Sequence, residues 1–511
     1  MSWRHDVENR DPESPVGFRA PARSRTRLRR VLRSRWLGRL LAAVAVILAA
    51  LLAGSAALEV TPMQTVTVAG QVIKVGAAPR LGFSGPGEVD LFGQGLPTAI
   101  SVPGPIQPKL QLSQITLNSQ LANFVRGRSP SHAGLTLRTQ LVAAWERYFA
   151  WEIAAAALAA LILAGAVAGW RRLPLKATGL LLVVALIVTV ALNLGAVALT
   201  ANGARAALRH VSSLTQLVGT EAVSVPHSRA SRRPLHGIEE VVIGDSTAAG
   251  AGLPAFAHAS PADKACGRSS QAYAVELARV NGWKALNLAC DSATIAHGLL
   301  GRQQQGTQRI PPQIDSVDRV KDPAVVIVSV GADDLQWSAI LEYCAATTQC
   351  DSRASNAYFQ QKLAQFSTAY LQLLIQLGSL PGHPRVIINR YYDPFGSDLS
   401  CITQRGLTPA KASTVQTWLV ALNQVLAKGA AQFGFASPQP SFAGHTLCSP
   451  VPYVQGLGGA APFHPTALGQ LAIALSDEAA LASPAPQPPA PSTSLSPGVA
   501  ALTPQIDAGN R

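Results

Sequence analysis

The sequence predicts an α/β domain built on a parallel sheet with helices on both faces, carried on a chain that crosses a membrane three times. Three observations predict it. Long apolar runs fall before Thr200, in a chain of 511 residues that is 48% hydrophobic and only 14% charged. After Ile238, short runs rich in Val and Ile alternate with stretches of helical periodicity. Every cysteine lies in that second region.

The first 39 residues form a basic tail that includes Arg23, Arg25, Arg27, Arg29, Arg30, Arg33, Arg35 and Arg39. Residues 40–58, LLAAVAVILAALLAGSAAL, follow as a first span, long enough for a bilayer core of about 30 Å. A cleaved signal peptide is the alternative, given the small residues at Ser55–Ala57, but the apolar run exceeds the roughly 7–15 residues of a signal core. Residues 153–170 and 179–199 are the second and third spans, joined through the basic loop RRLPLK within 171–178. Basic residues stay on the cytoplasmic side, so tail and loop read as inside. Residues 59–147 and everything after Thr200 then lie outside the plasma membrane.

The external insert 59–147 carries VTVAGQVIKV at Val66–Val75 and many Gly and Pro turns, a pattern of short strands. Residues 201–237 read as a linker, and 483–511, rich in Pro, Ala and Ser, as a disordered tail. The net charge of +14 follows from the basic tail beside membrane lipid. Nucleic-acid binding is excluded as a function class, because no recognition motif accompanies the charge.

Within 238–481, strands are expected at VVIG (Val241), KALNLAC (Lys284), AVVIVSVG (Ala324) and RVIINRYY (Arg385). Helices are expected at Ser270–Trp283 and Asn356–Leu377. Sites on such sheets form at the carboxyl ends of strands. VVIGDSTAAGAG places Ser246 there, with Ala248 to Gly252 leaving space for a ligand. A serine needs a base to accept its proton, and His464 in APFHPTALGQ, at the far end of the same domain, is the candidate. An even number of cysteines in an exported region indicates disulfides, and the absence of CxxC pairs or cysteine-histidine clusters argues against a metal.

These blocks resemble the SGNH or GDSL hydrolases, and among them the secreted actinobacterial lipases and esterases, over about Glu239 to Leu481. VVIGDST is similar to the first family block, NLACDSAT (Asn287–Thr294) to the second, VSVGADDL (Val328–Leu335) to the third and FHPTALGQ (Phe463–Gln470) to the last. RYYDPF at Arg390 and FAGHTLC at Phe442 also resemble segments of the subgroup. The resemblance implies a three-layer sandwich, a Ser246–His464 pair, and an oxyanion hole at Ser246, Ser292 and Asp333. It implies disulfides between Cys266 and Cys290, Cys344 and Cys350, and Cys401 and Cys448, and it implies no cofactor.

Three positions depart from the family pattern. Ala461 stands where an aspartate often orients the histidine; some members of the subgroup use a backbone carbonyl there, and the resemblance allows a Ser246–His464 dyad. Ser292 replaces the usual glycine, and Asp333 the usual asparagine whose amide donates to the oxyanion. An ionised Asp333 offers no proton and repels the developing charge. Either Asp333 is ionised and slows the reaction, so that Asp333→Asn accelerates it, or burial keeps it protonated and the rate falls as pH rises through its pKa, or another donor replaces it, or the domain no longer catalyses. The implied activity is a membrane-anchored extracytoplasmic serine esterase acting on acyl or acetyl esters of lipids or cell-envelope glycans. The alternative is a noncatalytic glycan- or protein-binding module on the same fold.

Overall fold

The structure is a computed structural model and describes residues 35–68, 71–114, 131–208, 234–403 and 405–487. The basic tail to residue 34, the linker segment 209–233 and the tail from 488 lie outside the described residues. In chain order the elements begin with α1 (Arg35–Val60), β1 (Gln64–Val68), β2 (Gln71–Pro79), β3 (Ser84–Leu91), β4 (Gln94–Pro103), β5 (Ile106–Gln114), α2 (Ser131–Trp170) and α3 (Leu175–Leu208). They continue with β6 (Glu240–Gly244), α4 (Ser246–Ala249), α5 (Pro261–Ala265), α6 (Tyr273–Asn281), β7 (Ala285–Asn287), β8 (Gln303–Gln305), β9 (Gln308–Ile310) and α7 (Gln313–Val317). Last come β10 (Val325–Ser329), α8 (Trp337–Ala346), α9 (Arg353–Gly378), β11 (Arg385–Ile388), α10 (Ser400–Thr403), α11 (Pro409–Gln432) and α12 (Ala467–Ala482).

The chain divides into two compact units. One joins α1 to Glu152–Gly195. The other holds Thr61–Trp151 and everything from Ala196 onward. Among the described residues, Leu40–Val60, Thr139–Trp170 and Leu175–Ala204 are long and apolar enough to cross a membrane.

The insert is only partly β. Its strands end at Gln114, and α2 is helical from Ser131. The reason is in the sequence: from Leu135 to Ala164 there is neither Pro nor Gly, and Ala and Leu dominate, so nothing interrupts the helix. Likewise α3 runs on to Leu208, into the stretch expected as linker. The strands form a sheet of order β1-β2-β5-β3-β4. Val66 and Val75 pack on Ala144 of α2, while Val89, Leu91, Phe92 and Leu96 join the core of the C-terminal domain. Phe92 meets Tyr370 of α9 edge-on, with ring centroids 5.7 Å apart. The insert is thus a part of the larger unit.

The C-terminal domain centres on a parallel sheet of order β11-β10-β6-β7. All residues of β6 and β10 are buried, as expected of strands covered on both faces. Two helix pairs, α6 with α12 and α9 with α11, flank the sheet. The register pairs Ser329 with Gly244 and Val242 with Asn287, so the segments that follow the strands emerge at one edge. Disulfides join Cys266–Cys290, Cys344–Cys350 and Cys401–Cys448.

Two acids are sealed in this core. Glu240 and Asp477 are both 0% exposed. Both Glu240 oxygens and Asp477 Oδ1 have no hydrogen-bond partner, while Asp477 Oδ2 accepts from Asn389 Nδ2 at 3.1 Å. Burial, together with the Asp477 charge, pushes Glu240 up to about 8, and burial pushes Asp477 up to about 8. A carboxyl whose folded pKa is raised contributes stability that is complete below its unfolded pKa and is lost as pH rises through the folded value. The melting temperature of detergent-solubilised protein should therefore fall as pH rises from about 5 to 8, each such acid costing about 1.4 kcal/mol per pH unit. Glu240→Gln should give a shallower decline; an unchanged slope would show that Glu240 is ionised in the fold.

Candidate active site

Ser246 opens the short helix α4 directly after β6. The preceding Asp245 caps this turn, its Oδ1 accepting from Thr247 N at 2.9 Å. Gln470 of α12 accepts from Tyr273 N and donates to Thr247 O, both at 2.9 Å, and so pins the turn to α6 and α12. Ser246 itself is 6% exposed.

His464 arrives from the loop before α12. Its Nε2 lies 2.7 Å from Ser246 Oγ, and its Nδ1 lies 3.1 Å from Pro462 O. A carbonyl can only accept, so the proton is on Nδ1 and Nε2 presents its lone pair to the Ser246 hydroxyl. Pro462 O thus stands where a carboxylate would orient the ring. It fixes the tautomer without countering the charge of an imidazolium. The loop is held by Tyr392, which donates to Phe463 O at 2.7 Å, and by Gln455, which donates to Ala251 O at 2.8 Å and Pro465 O at 3.0 Å.

Ser292 follows β7 in a loop tied to the first block. Cys290 N donates to Gly244 O at 3.1 Å, and Asp291 N to Cys266 O at 3.0 Å, next to the Cys266–Cys290 bridge. Ser292 has φ 59°, a left-handed conformation that explains why glycine suits this position and costs a serine roughly 1–2 kcal/mol. The backbone N–H groups of Ser246 and Ser292 have no acceptor among the described residues.

Asp333 follows β10, half-buried, with Oδ2 enclosed and without a hydrogen-bond partner. Burial first, and then the charges of Asp245 and Asp291, push it up to about 8. Such a position favours the neutral acid, with a proton to donate, over the ionised group at neutral pH. The sequence showed the residue but not its surroundings. Asp334, beside it, accepts from Ile295 N at 3.0 Å and is pushed up to about 7 by burial.

Tyr391 is the residue that sequence reasoning missed. Its hydroxyl donates to Asp245 Oδ2 and accepts from Ala332 N at 2.9 Å, joining the loops after β6 and β10 through one side chain. The available signal was its place in RYYDPF, just beyond the carboxyl end of β11. Among the described residues no group of acids, histidines or cysteines could hold a metal.

Residues 242–472 match the GDSL-like Lipase/Acylhydrolase family. The C-terminal domain is a GDSL hydrolase domain. A lipase of Streptomyces rimosus is 26% identical over 273 residues, which cover 52% of this chain and 91% of that protein. The crystal structure of extracellular lipase from S. rimosus is 23% identical, covers 48% of this chain and 99% of its own, and superposes with a TM-score of 0.37. That of phospholipase A1 from Streptomyces albidoflavus is 22% identical, covers 47% of this chain and 97% of its own, with a TM-score of 0.35. The match places residues 242–472 in a family of lipases and acylhydrolases.

A protonated Asp333 makes a specific kinetic statement. Its donor is present below about 8 and lost above it. Hydrolysis of a short-chain aryl ester should fall on the alkaline side as Asp333 ionises, and Asp333→Asn, whose amide donates at every pH, should lack that fall. Loss of one oxyanion donor costs on the order of 10²–10³ in rate, which bounds the alkaline gain of the variant. Rate profiles of both proteins across pH decide it: an advantage of Asp333→Asn that is equal at all pH would mean an ionised Asp333 throughout.

Proposed function

We propose that the protein is a membrane-anchored, extracytoplasmic serine esterase whose GDSL domain hydrolyses acyl or acetyl esters through Ser246 and His464. The observation that carries this reading is the 2.7 Å contact from His464 Nε2 to Ser246 Oγ, with the opposite ring nitrogen held by Pro462 O. As Ser246 Oγ attacks the ester carbonyl, its proton passes to His464 Nε2. The N–H groups of Ser246 and Ser292 and the Asp333 hydroxyl donate to the oxyanion. His464 then returns the proton to the departing alcohol, leaving an acyl-serine. Water, deprotonated by His464, releases the acid and restores the hydroxyl. Tyr391 is a positioning residue, fixing the loops that present Ser246 and Asp333.

The alcohol portion is the hydroxyl-rich part of a lipid headgroup or cell-envelope glycan. Support comes from a cleft of about 630 Å³ whose lining mixes Asp393, Ser397, Asp398 and Thr446 with Pro440 and Phe442. It adjoins the histidine loop: Phe395, also in its lining, packs edge-on against Phe463, with centroids 6.1 Å apart. The anchoring reading is supported by the three apolar helices, by the basic tail and the RRLPLK loop that set orientation, and by paired cysteines, which suit an oxidising compartment.

Labelling with a fluorophosphonate probe should modify Ser246. Ser246→Ala and His464→Ala should each lower ester hydrolysis by on the order of 10⁴-fold or more, and the double variant should be little worse than either. Undiminished hydrolysis in Ser246→Ala removes the mechanism; folded, unlabelled wild type favours a binding module instead. Export has its own test. Protein taken from native membranes without reductant should show no reactive thiol, and six would contradict an extracytoplasmic domain.

A further inference from the structure

The turn between β2 and β3, Arg80-Leu81-Gly82-Phe83, exposes two large apolar side chains. Leu81 is 107% and Phe83 83% exposed, the two most exposed large apolar residues outside the three candidate spans among the described residues. Their backbone is not loose. Arg80 N donates to Pro105 O at 3.0 Å, Gly104 N to Phe83 O at 2.7 Å, and the Arg80 guanidinium to Val102 O at 3.0 Å and to Pro86 O. A turn this firmly held, with both side chains in the open, presents them to something.

Three registers show which way the turn faces. Along β2 and α2 the contacts advance together: Val75 packs with Ala144, Trp145 Nε1 donates to Gly76 O at 3.1 Å, and Tyr148 Oη to Ala77 O at 3.2 Å. Beyond Tyr148 the helix reaches Trp151 and then the apolar run that ends in Trp170. These two exposed tryptophans are nineteen residues apart, about 28 Å along a helix, which matches a bilayer core of about 30 Å with an aromatic ring at each boundary. From Ala77 to Pro79 the strand advances about 7 Å, and the turn follows it. From Tyr148 to Trp151 the helix advances only about 4.5 Å. The turn therefore reaches the level of Trp151 or passes it.

The second register lies on α3. Gly104, paired with Phe83, abuts Thr200, and Pro103 abuts Gly203, both within the last residues of the span Leu175–Ala204. The third is the antiparallel pairing of Gln64 with Val75, which runs the end of β2 past the start of β1.

We propose that Leu81 and Phe83 form a membrane-interface anchor, entering the boundary between headgroups and acyl chains of the outer leaflet beside Trp151. The inference rests on the reading that α2 and α3 span the bilayer. Apolar and aromatic side chains at this depth bind by buried area, and do so against a lipid surface without needing a shaped pocket. The anchor would fix the sheet, and the GDSL domain packed on its other side, at a set height above lipid.

All six cysteines are paired, so a single introduced cysteine can be labelled. Full-length Phe83→Cys and, separately, Leu81→Cys are labelled with an environment-sensitive dye and reconstituted in phosphatidylcholine and phosphatidylglycerol vesicles that contain lipid spin labels at shallow or deep positions. A third variant, Ile187→Cys in α3, reports the span. Retained ester hydrolysis establishes that each labelled protein is folded. The expected result is blue-shifted emission at positions 81 and 83, quenched more strongly by shallow than by deep labels, with position 187 quenched by deep labels. Water-like, unquenched emission at both 81 and 83 with normal quenching at 187 overturns the anchor alone. Absence of quenching at all three overturns the membrane reading and the anchor with it. Blue-shifted emission in native membranes that is lost in vesicles assigns the turn to a protein partner and also overturns it.

Discussion

The close approach of β6 and β10 at Gly244 and Ser329 is the constraint on which the site depends. Gly244 has φ 150°, and a side chain there would stand 2.1 Å from Ser329 O. Asp245 N donates to that same carbonyl at 3.0 Å, so the turn that carries Ser246 starts from the neighbouring strand. Gln313 seals the arrangement from α7: its Oε1 accepts from Gly244 N at 2.7 Å and its Nε2 donates to Gly244 O at 3.0 Å. With the strand end fixed on both sides, Ser246 has little freedom, and the histidine loop can be built to meet it.

Burial of acids is the second organising force. Asp245, Asp333 and Asp334 follow the carboxyl ends of β6 and β10, while Glu240 opens β6 and Asp477 lies in α12. Desolvation acts on all of them in one direction, toward the neutral acid, and mutual repulsion at the strand ends adds to it. Asp245 is pushed up to about 7 although Tyr391 and Thr247 both donate to it. The same physics that makes a carboxylate a poor oxyanion partner in water makes a buried carboxylic acid a usable one.

The five-stranded sheet joins two surroundings. One side carries Val66 and Val75 against α2; Leu91, Phe92 and Leu96 carry the other into the core around Tyr370. A flexible linker alone would leave the GDSL domain free to sample many heights and angles. Packing through the insert removes that freedom for the residues of the larger unit, at the cost of committing apolar strand residues to both sides.

What the sequence determined by itself was whatever is written in local order. The apolar runs, the Val-rich strands, and the blocks around Ser246, Ser292, Asp333 and His464 were legible because length, periodicity and short spacing are properties of contiguous residues. So was the departure at Ala461. Only the tertiary structure decided what replaces that missing aspartate, because Pro462 O is a backbone atom that every residue possesses and its use depends on how the loop turns. Only it showed what pushes Asp333 toward the neutral acid: enclosure, and Asp245 and Asp291, remote in sequence. Tyr391 was hidden for the same reason: one tyrosine in RYYDPF looks like the next until the fold sets a carboxylate on one side of it and a backbone N–H on the other. The docking of the insert was hidden too, since alternation along a strand marks an apolar face and says nothing of which distant surface will cover it.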